Sequence, residues 1–262
     1  MTVVFLGGGR ITSALLAGLK LRRAKYRTIV HDRNLSKMRK LKKEYGAIPE
    51  RSLQRAVAQA DLLIIAVRPN SVIPLLHELS PPDRPLIAVS LAAGLPLRHL
   101  RPTLGRLVQW ARAMPSPASR SGRGLAALSF SPRFNPQCRR QVRDFFAKVG
   151  EVVEIPEREF DAFTVTYSSS HGYHALSTLA EAGRLVGLNR KTALTAAAHA
   201  FVDGLIAWRD GEHSIEALLD EAATPGGIAA TTMDTMNKAG YVRAVRAGIR
   251  AGLRLARANT RQ

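Results

Sequence analysis

The chain opens with a short apolar run, Thr2 to Leu6, that delivers three glycines into a helical pattern: Gly7-Gly8-Gly9-Arg10-Ile11-Thr12-Ser13-Ala14-Leu15. Few successions of residue type constrain a fold as strongly. A buried strand that ends in Gly-x-Gly turns sharply, and the next helix begins with free N–H groups facing outward beyond the strand. Gly7 supplies the tight bend, and the missing side chain at Gly9 lets a pyrophosphate approach the backbone. Thr12 stands where this fingerprint has a third glycine or an alanine, and is small enough for close helix–strand packing. The pattern predicts a dinucleotide-binding turn.

A second strand, Tyr26 to Val30, ends in His31-Asp32-Arg33-Asn34. Asp32 reads as an acceptor for adenosine-ribose hydroxyls, which favours NAD. Arg33 reads as a fork for a 2′-phosphate, which favours NADP. Between Lys20 and Lys43 there are eleven Lys or Arg, and Asp32 is the one acid among them. So positive a field favours the more highly charged cofactor, so NADP is expected, with NAD left open.

Further strand and helix patterns alternate through the first half. The apolar runs Asp61–Val67, Pro85–Leu91 and 107–111 read as buried parallel strands, and Leu125–Ser131 and Glu151–Ile155 as closing strands around a helix over Pro136–Val149. Helices are also expected over Leu35–Tyr45, capped by Asn34, and over Ser52–Ala60, with Pro69 opening another. Past Pro156 the texture becomes Ala-, Leu- and Thr-rich at helical spacing. Helices are predicted at about 173–187, 190–210, 214–223, 226–238 and 241–259, with Asn189 capping the second. The expected fold is therefore α/β: a doubly wound Rossmann domain over 1–158, then an all-helical domain over 159–262.

The formal charge of +19 is concentrated in the first part: residues 1–158 carry 28 Lys and Arg against 10 Asp and Glu, and residues 159–262 carry 11 against 10. A basic domain attracts an anionic cofactor and substrate. Aromatic residues make up only 6% of the chain, and no helix-turn-helix spacing is evident, which argues against nucleic acid. No apolar run reaches the length of a membrane span, and Met1 leads directly into the first strand, so neither anchor nor leader is expected. The single cysteine, Cys138, forms no internal disulfide, which points to the cytoplasm, and no Cys/His spacing suggests a metal site. In the last helix, Arg243, Arg246, Arg250, Arg254, Arg257 and Arg261 recur at helical steps and read as a solvated face. A small Ala-rich helical domain buries surface inefficiently alone, so pairing with a second copy is expected.

Six segments occur in an order that resembles the pyrroline-5-carboxylate reductases. They are Gly7-x-Gly9, Ala66-Val67-Arg68-Pro69, Ser90-Leu91-Ala92-Ala93-Gly94, Arg112-Ala113-Met114-Pro115, Asp161-Ala162-Phe163-Thr164 and Thr224-Pro225-Gly226-Gly227. The resemblance implies a Rossmann domain, a helical dimerisation domain, and NAD(P)H-dependent reduction of a cyclic imine to proline by a homodimer or larger homo-oligomer. It also implies roles for particular residues. Gly7, Gly9, Arg10 and Ile11 match the pyrophosphate turn, and Asp32-Arg33-Asn34 the adenosine-ribose segment. Ala66, Val67, Arg68 and Pro69, with Ala92 and Ala93 nearby, match the nicotinamide side. Met114 and the loop Thr224, Pro225, Gly226 and Gly227 match the substrate site, where backbone N–H groups at a helix start hold a carboxylate.

The departures fall at the substrate. Ile228 and Ala229 stand where the family usually has two threonines, which leaves Thr231 or Thr232 to reach back. Met114-Pro115-Ser116-Pro117-Ala118 lacks one residue and an asparagine of the family's pattern. The stretch Tyr167 to His174 replaces a Gly- and Pro-bearing segment and brings in Ser169, His171 and Tyr173 as candidate catalytic groups, with Tyr167 and His174 beside them. These substitutions leave room for a related imine or carbonyl reductase with another substrate, or for a non-catalytic nucleotide-binding relative.

Overall fold

In the computed structural model, which describes residues 1–258, strand and helix alternate from the first residues. The elements run β1 (Thr2–Leu6), α1 (Arg10–Leu21), β2 (Arg27–His31), α2 (Leu35–Tyr45), β3 (Ile48–Pro49), α3 (Leu53–Ala58), β4 (Leu62–Ile65) and α4 (Pro69–His77). There follow β5 (Leu86–Ser90), α5 (Leu97–Leu100), β6 (Val108–Pro115), β7 (Gly124–Phe130), α6 (Pro136–Ala147) and β8 (Gly150–Glu154). They form one eight-stranded sheet in the order β3-β2-β1-β4-β5-β6-β7-β8. Every neighbouring pair is parallel except β6 and β7, which run antiparallel. From β1 the chain winds outward through β2 and β3, then returns to the other side of β1 as β4. That reversal opens a crevice at the carboxyl ends of β1 and β4, where ligands of such sheets bind.

Because parallel strands bury both faces, β4 and β5 are apolar nearly throughout and wholly buried. One face packs against Leu15, Leu19, Met38, Leu41, Val142, Phe145 and Phe146 from α1, α2 and α6. The other packs against Val57, Val72, Leu76, Leu97 and Leu100 from α3, α4 and α5. The caps follow chemistry visible in the sequence. The Asn34 side chain accepts from the N–H groups of Ser36 and Lys37, Ser52 accepts from Arg55, and Pro69 opens α4.

The remaining elements are α7 (Phe160–Thr166), α8 (Ser169–Leu185), α9 (Arg190–Asp210), α10 (Ile215–Ala222), α11 (Ile228–Lys238) and α12 (Tyr241–Ala258). Contacts divide the chain into two compact units, residues 1–166 with the end of α12 from Gly252, and residues 167–251. In the second unit α8 and α9 form a helical hairpin closed by Gly187, with the Asn189 side chain capping α9. Helix α8 begins four residues earlier than its sequence pattern predicts, and so takes in Gly172. Serines and a glycine read as breakers, yet Ser168 serves as the N-cap residue and one glycine is tolerated in a first turn. The short helix α7 has no counterpart among the expected elements, because seven residues are too few to display a period. The expected helix end at residue 259, and Arg261, lie outside the described residues.

One buried charge ties the first unit together. Arg112 on β6 is 1% exposed, and its guanidinium donates to Glu157 at 3.0 Å and to Asp161 at 2.8 Å. The same group lies 4.0 Å above the Phe160 ring, and the Glu157 oxygen that it meets also accepts from the Leu97 N–H at 2.9 Å. A central strand, the start of α5 and the start of α7 thus converge on one cation. Removing the charge from such a cluster leaves carboxylates without their partner, at a cost of about 3–5 kcal/mol. Both acids retain some contact with water, so Arg112→Leu is expected at the lower end, about 3 kcal/mol less stable. Urea unfolding of the variant measures this, and a loss below about 1 kcal/mol would show that the cluster is not a stabilising clasp.

Candidate functional site

The glycine turn is held by hydrogen bonds from both the strand and the helix side. The Gly7 N–H donates to the His31 carbonyl at 2.8 Å, and the Gly7 carbonyl accepts from the buried Thr12 hydroxyl at 2.6 Å. The Gly8 N–H donates to the Asp32 carboxylate at 2.7 Å, whose other oxygen accepts from the Asn34 N–H, also at 2.7 Å. Gly7 has φ +105°, and a Cβ there would lie 2.8 Å from the Ala66 carbonyl oxygen. Gly9 differs: a Cβ built on it meets nothing within 4 Å. Gly7 is therefore glycine because the protein fills the space beside it, and Gly9 because the space must stay open. Gly9 is also the N-cap of α1, with no side-chain cap and no acid in the helix's first turn, so the positive helix end faces that space unneutralised.

Around Gly9 lies a cleft of about 400 Å3, walled by the end of β1, the loop after β2, the segment 66–68 and one side of α4. Of the residues expected to hold a nucleotide, Gly7, Gly9, Asp32, Arg33, Ala66, Val67 and Arg68 line it. Arg10, Ile11, Asn34, Pro69, Ala92 and Ala93 do not. Asn34 caps α2, Ile11 packs against the core, Pro69 begins α4, and Ala92 is buried in the opposite core. The lining also includes His31, Lys37, Asn70, Ser71, Pro74 and Leu75, which the sequence reading had not singled out. The last four share one side of α4, and their helical spacing after the Pro69 start was the available signal.

The charges around the cleft are mostly cationic. Lys37 lies 3.6 Å from Asp32, Arg33 is ion-paired with Glu78, and Arg68 adds a third positive group. Asp32 is only 13% exposed and is engaged by two backbone N–H groups, so its first task is to hold the turn. His31 Nδ1 lies 3.0 Å from the Glu50 carbonyl and so carries the hydrogen, which leaves Nε2 as the acceptor of the neutral ring. The Glu50 carboxyl beside it is held below the usual carboxylate range, chiefly by the Ser52 N–H and further by Arg55. No group of three or more His, Cys, Asp or Glu among the described residues converges as metal ligands.

Met114 sits near the end of β6, in the first unit. The other substrate and catalytic candidates lie in the second. Gly226 has φ +77°, and the Gly227 N–H donates to the Thr224 carbonyl at 2.9 Å, so Thr224-Pro225-Gly226-Gly227 forms a tight turn into α11. Gly227 is the N-cap with no side-chain cap, which leaves the first N–H groups of α11 turned outward. The Thr231 hydroxyl donates back to the Gly227 carbonyl at 3.0 Å and that of Thr232 to the Ile228 carbonyl at 2.8 Å. Both hydroxyl protons are thus engaged within the helix. Ser169, His171 and Tyr173 all fall in the first turns of α8. Helical register separates them: Ser169 and Tyr173, four apart, share one side, while His171, two residues from each, faces away.

The contrast between the two glycines is directly testable. Gly7→Ala is expected to destabilise the fold by about 1–3 kcal/mol, through positive φ and collision with Ala66. Gly9→Val is expected to fold and to lose at least about tenfold in NADP(H) affinity by calorimetry, since its branched side chain enters the pyrophosphate space. Wild-type affinity in folded Gly9→Val would remove the cleft as the nucleotide site.

Comparison with known proteins bears on both units. A family model described as NADP oxidoreductase coenzyme F420-dependent matches residues 2–94, and one described as pyrroline-5-carboxylate reductase dimerisation matches residues 157–258. The pyrroline-5-carboxylate reductase of Corynebacterium melassecola is 26% identical over 246 residues, covering 91% of each chain. Among solved structures, the 1-pyrroline-5-carboxylate reductase of Streptococcus pyogenes shares the fold with a TM-score of 0.90 at 23% identity, over 98% of each chain. The pyrroline carboxylate reductase of Plasmodium falciparum, solved with NADP bound, does so with a TM-score of 0.84 at 20% identity, over 99% of this chain and 98% of its own. Taken with the ordered motifs and the glycine turn, these matches show that the chain belongs to the pyrroline-5-carboxylate reductase family.

Proposed function

We propose that the protein reduces pyrroline-5-carboxylate to proline with NADPH, acting as a homodimer in the cytoplasm. The observation that carries this reading is the match to a pyrroline-5-carboxylate reductase over nine-tenths of both chains. The cleft supports its nucleotide half: the open side of Gly9 and the uncapped start of α1 suit a diphosphate, and Arg33 with Lys37 suits a 2′-phosphate. NADH is the weaker alternative. The single cysteine, Cys138, is free, consistent with a reducing compartment, and no helix among the described residues is long and apolar enough to cross a membrane. Neither nucleic acid nor a metal has a part in this reading.

Bound NADPH supplies a hydride to the imine carbon, and the nitrogen needs one proton. The protein's own residues position the reactants. Gly9 and the backbone N–H groups that open α1 at Arg10 and Ile11 hold the diphosphate, Gly7 makes the bend, and Asp32 and Arg33 lie at the adenosine-ribose end, with Asn34 acting through its cap of α2. Ala66, Val67 and Arg68 serve the nicotinamide side. The turn Thr224-Pro225-Gly226-Gly227 holds the substrate carboxylate on the outward N–H groups of α11, with Thr231 behind it. An iminium that arrives protonated requires no acid from the protein. A neutral imine takes its proton from the Ser169–Tyr173 side of α8 or from His171 on the other side.

A second reading, a related reductase for another small anionic imine, is favoured by one observation. Ile228 is 89% exposed at the start of α11, in place of a hydroxyl, and Thr231 is bonded backward. Steady-state assay of NADPH oxidation with pyrroline-5-carboxylate separates the readings, and tight NADPH binding without turnover would overturn the first. The substrate turn has its own test. A Cβ on Gly227 would lie 2.9 Å from the Thr224 carbonyl, so even alanine reshapes the turn. Gly227→Ala is expected to raise KM for the imine about tenfold, as for one lost hydrogen bond to a charged group, with NADPH affinity unchanged. An unchanged KM would remove this loop as the carboxylate site.

A further inference from the structure

The cleft has two cations suited to a 2′-phosphate, and each already faces an acid. Lys37 faces Asp32, whose oxygens are bound to the Gly8 and Asn34 N–H groups and cannot leave without undoing the turn. Arg33 faces Glu78, and that carboxylate is bound otherwise: its one side-chain partner among the described residues is Arg33 itself. The pair joins distant parts of the chain, the loop after β2 and the C-cap residue of α4. Glu78 also continues the side of α4 that lines the cleft. It stands four residues after Pro74 and three after Leu75, both lining residues, so it lies one turn beyond that wall, beside the lining residue Arg33.

We propose that Glu78 is a specificity-determining residue of the cofactor cleft: its carboxylate competes with the 2′-phosphate for Arg33 and so restrains the preference for NADPH over NADH. The proposal rests on the reading that this protein binds NADPH through Arg33. The pair is exposed, with Arg33 at 77% and Glu78 at 48%, and such pairs are weak enough to exchange partners. A phosphate monoester offers several acceptor oxygens and more negative charge than a carboxylate, so it displaces Glu78 from the guanidinium fork. The displaced carboxylate is then left close to the phosphate, like charge beside like. NADPH binding thus breaks one ion pair and meets one repulsion. NADH meets neither, because its ribose carries a neutral hydroxyl there.

The experiment is a double-mutant cycle read by calorimetric titration of NADPH and NADH into the full-length protein. Glu78→Gln keeps the shape and removes the charge. It is expected to tighten NADPH about three- to tenfold and to change NADH by less than about twofold, with the gain shrinking as salt is raised. In the Arg33→Ala background the same substitution is expected to change NADPH affinity less than about twofold, since no guanidinium remains to compete for. Unchanged or weaker NADPH binding in Glu78→Gln would overturn the proposal. The weaker result would make Glu78 a residue that positions Arg33 for the phosphate. An equal gain in the Arg33→Ala background would also overturn it, reducing the effect to general charge. A wild-type protein that binds NADH and not NADPH would overturn the NADPH reading itself, and this proposal with it.

Discussion

Gly7 is a point at which the first unit permits no other residue. Its backbone passes so close to the Ala66 carbonyl that a Cβ would sit 2.8 Å from that oxygen, and its φ of +105° excludes an ordinary L-residue besides. That contact brings the end of β1 against the end of β4, the two strands on either side of the reversal in strand order. The sharp turn aims α1 back across the sheet, where Leu15 and Leu19 reach the core. Gly18, on the same helix, allows α1 to meet the Ser119 backbone, again with no space for a Cβ. A helix held so closely at both ends leaves its first N–H groups nowhere to point except into the crevice.

Acids in this basic unit are largely committed to structure. Asp32 binds two N–H groups of the turn, and Glu157 and Asp161 bind the buried Arg112. Burial pushes the Glu154 carboxyl up, but Arg139 and Arg143 from α6 outweigh it and hold the group below the usual carboxylate range. Glu50 caps its own loop at Ser52 while pairing with Arg55. With these acids placed away from the crevice mouth or locked into backbone, the surplus of Lys and Arg produces a positive field there, and focusing such a field in a cleft raises the local concentration of anions. Glu78 differs, in that its side-chain partner is the cleft cation Arg33 and not backbone.

The fold was legible wherever local chemistry and the buried pattern agreed. The apolar runs at 62–65 and 86–89 announced parallel strands, and Asn34 and Asn189 announced the helices that they cap. The site was legible in part. Gly7 and Gly9 stood out as a pair, but sequence alone could not divide their duties, since both are simply glycine. Asp32 read as a ribose acceptor because its position says so. Its bonds to Gly8 and Asn34 depend on how a loop closes in space, and so does the pairing of Arg33 with a residue 45 positions away. Arg112 belonged to a recognisable motif, yet nothing in the motif marked it as a buried cation, because burial is a property of the packed sheet.

The second unit was the hardest to read, for a related reason. Its buried side chains are few: Ala193 and Ala197 on α9 are the ones fully enclosed, at the close approach of α8 and α9. Along the same helix Leu194, Phe201, Val202, Leu205, Ile206 and Trp208 are exposed, as are Ile215 and Leu219 on α10 and Val242 and Val245 on α12. So much large apolar surface is not tolerated on a lone soluble helical unit, and its match to a dimerisation family supplies the cover: another copy of the chain. Amphipathic periods in these helices therefore point toward a surface that one chain does not contain. A period search assigns each helix an inner side, and here much of that side is reserved for the partner. Ile228, 89% exposed at the start of α11, adds to that apolar surface.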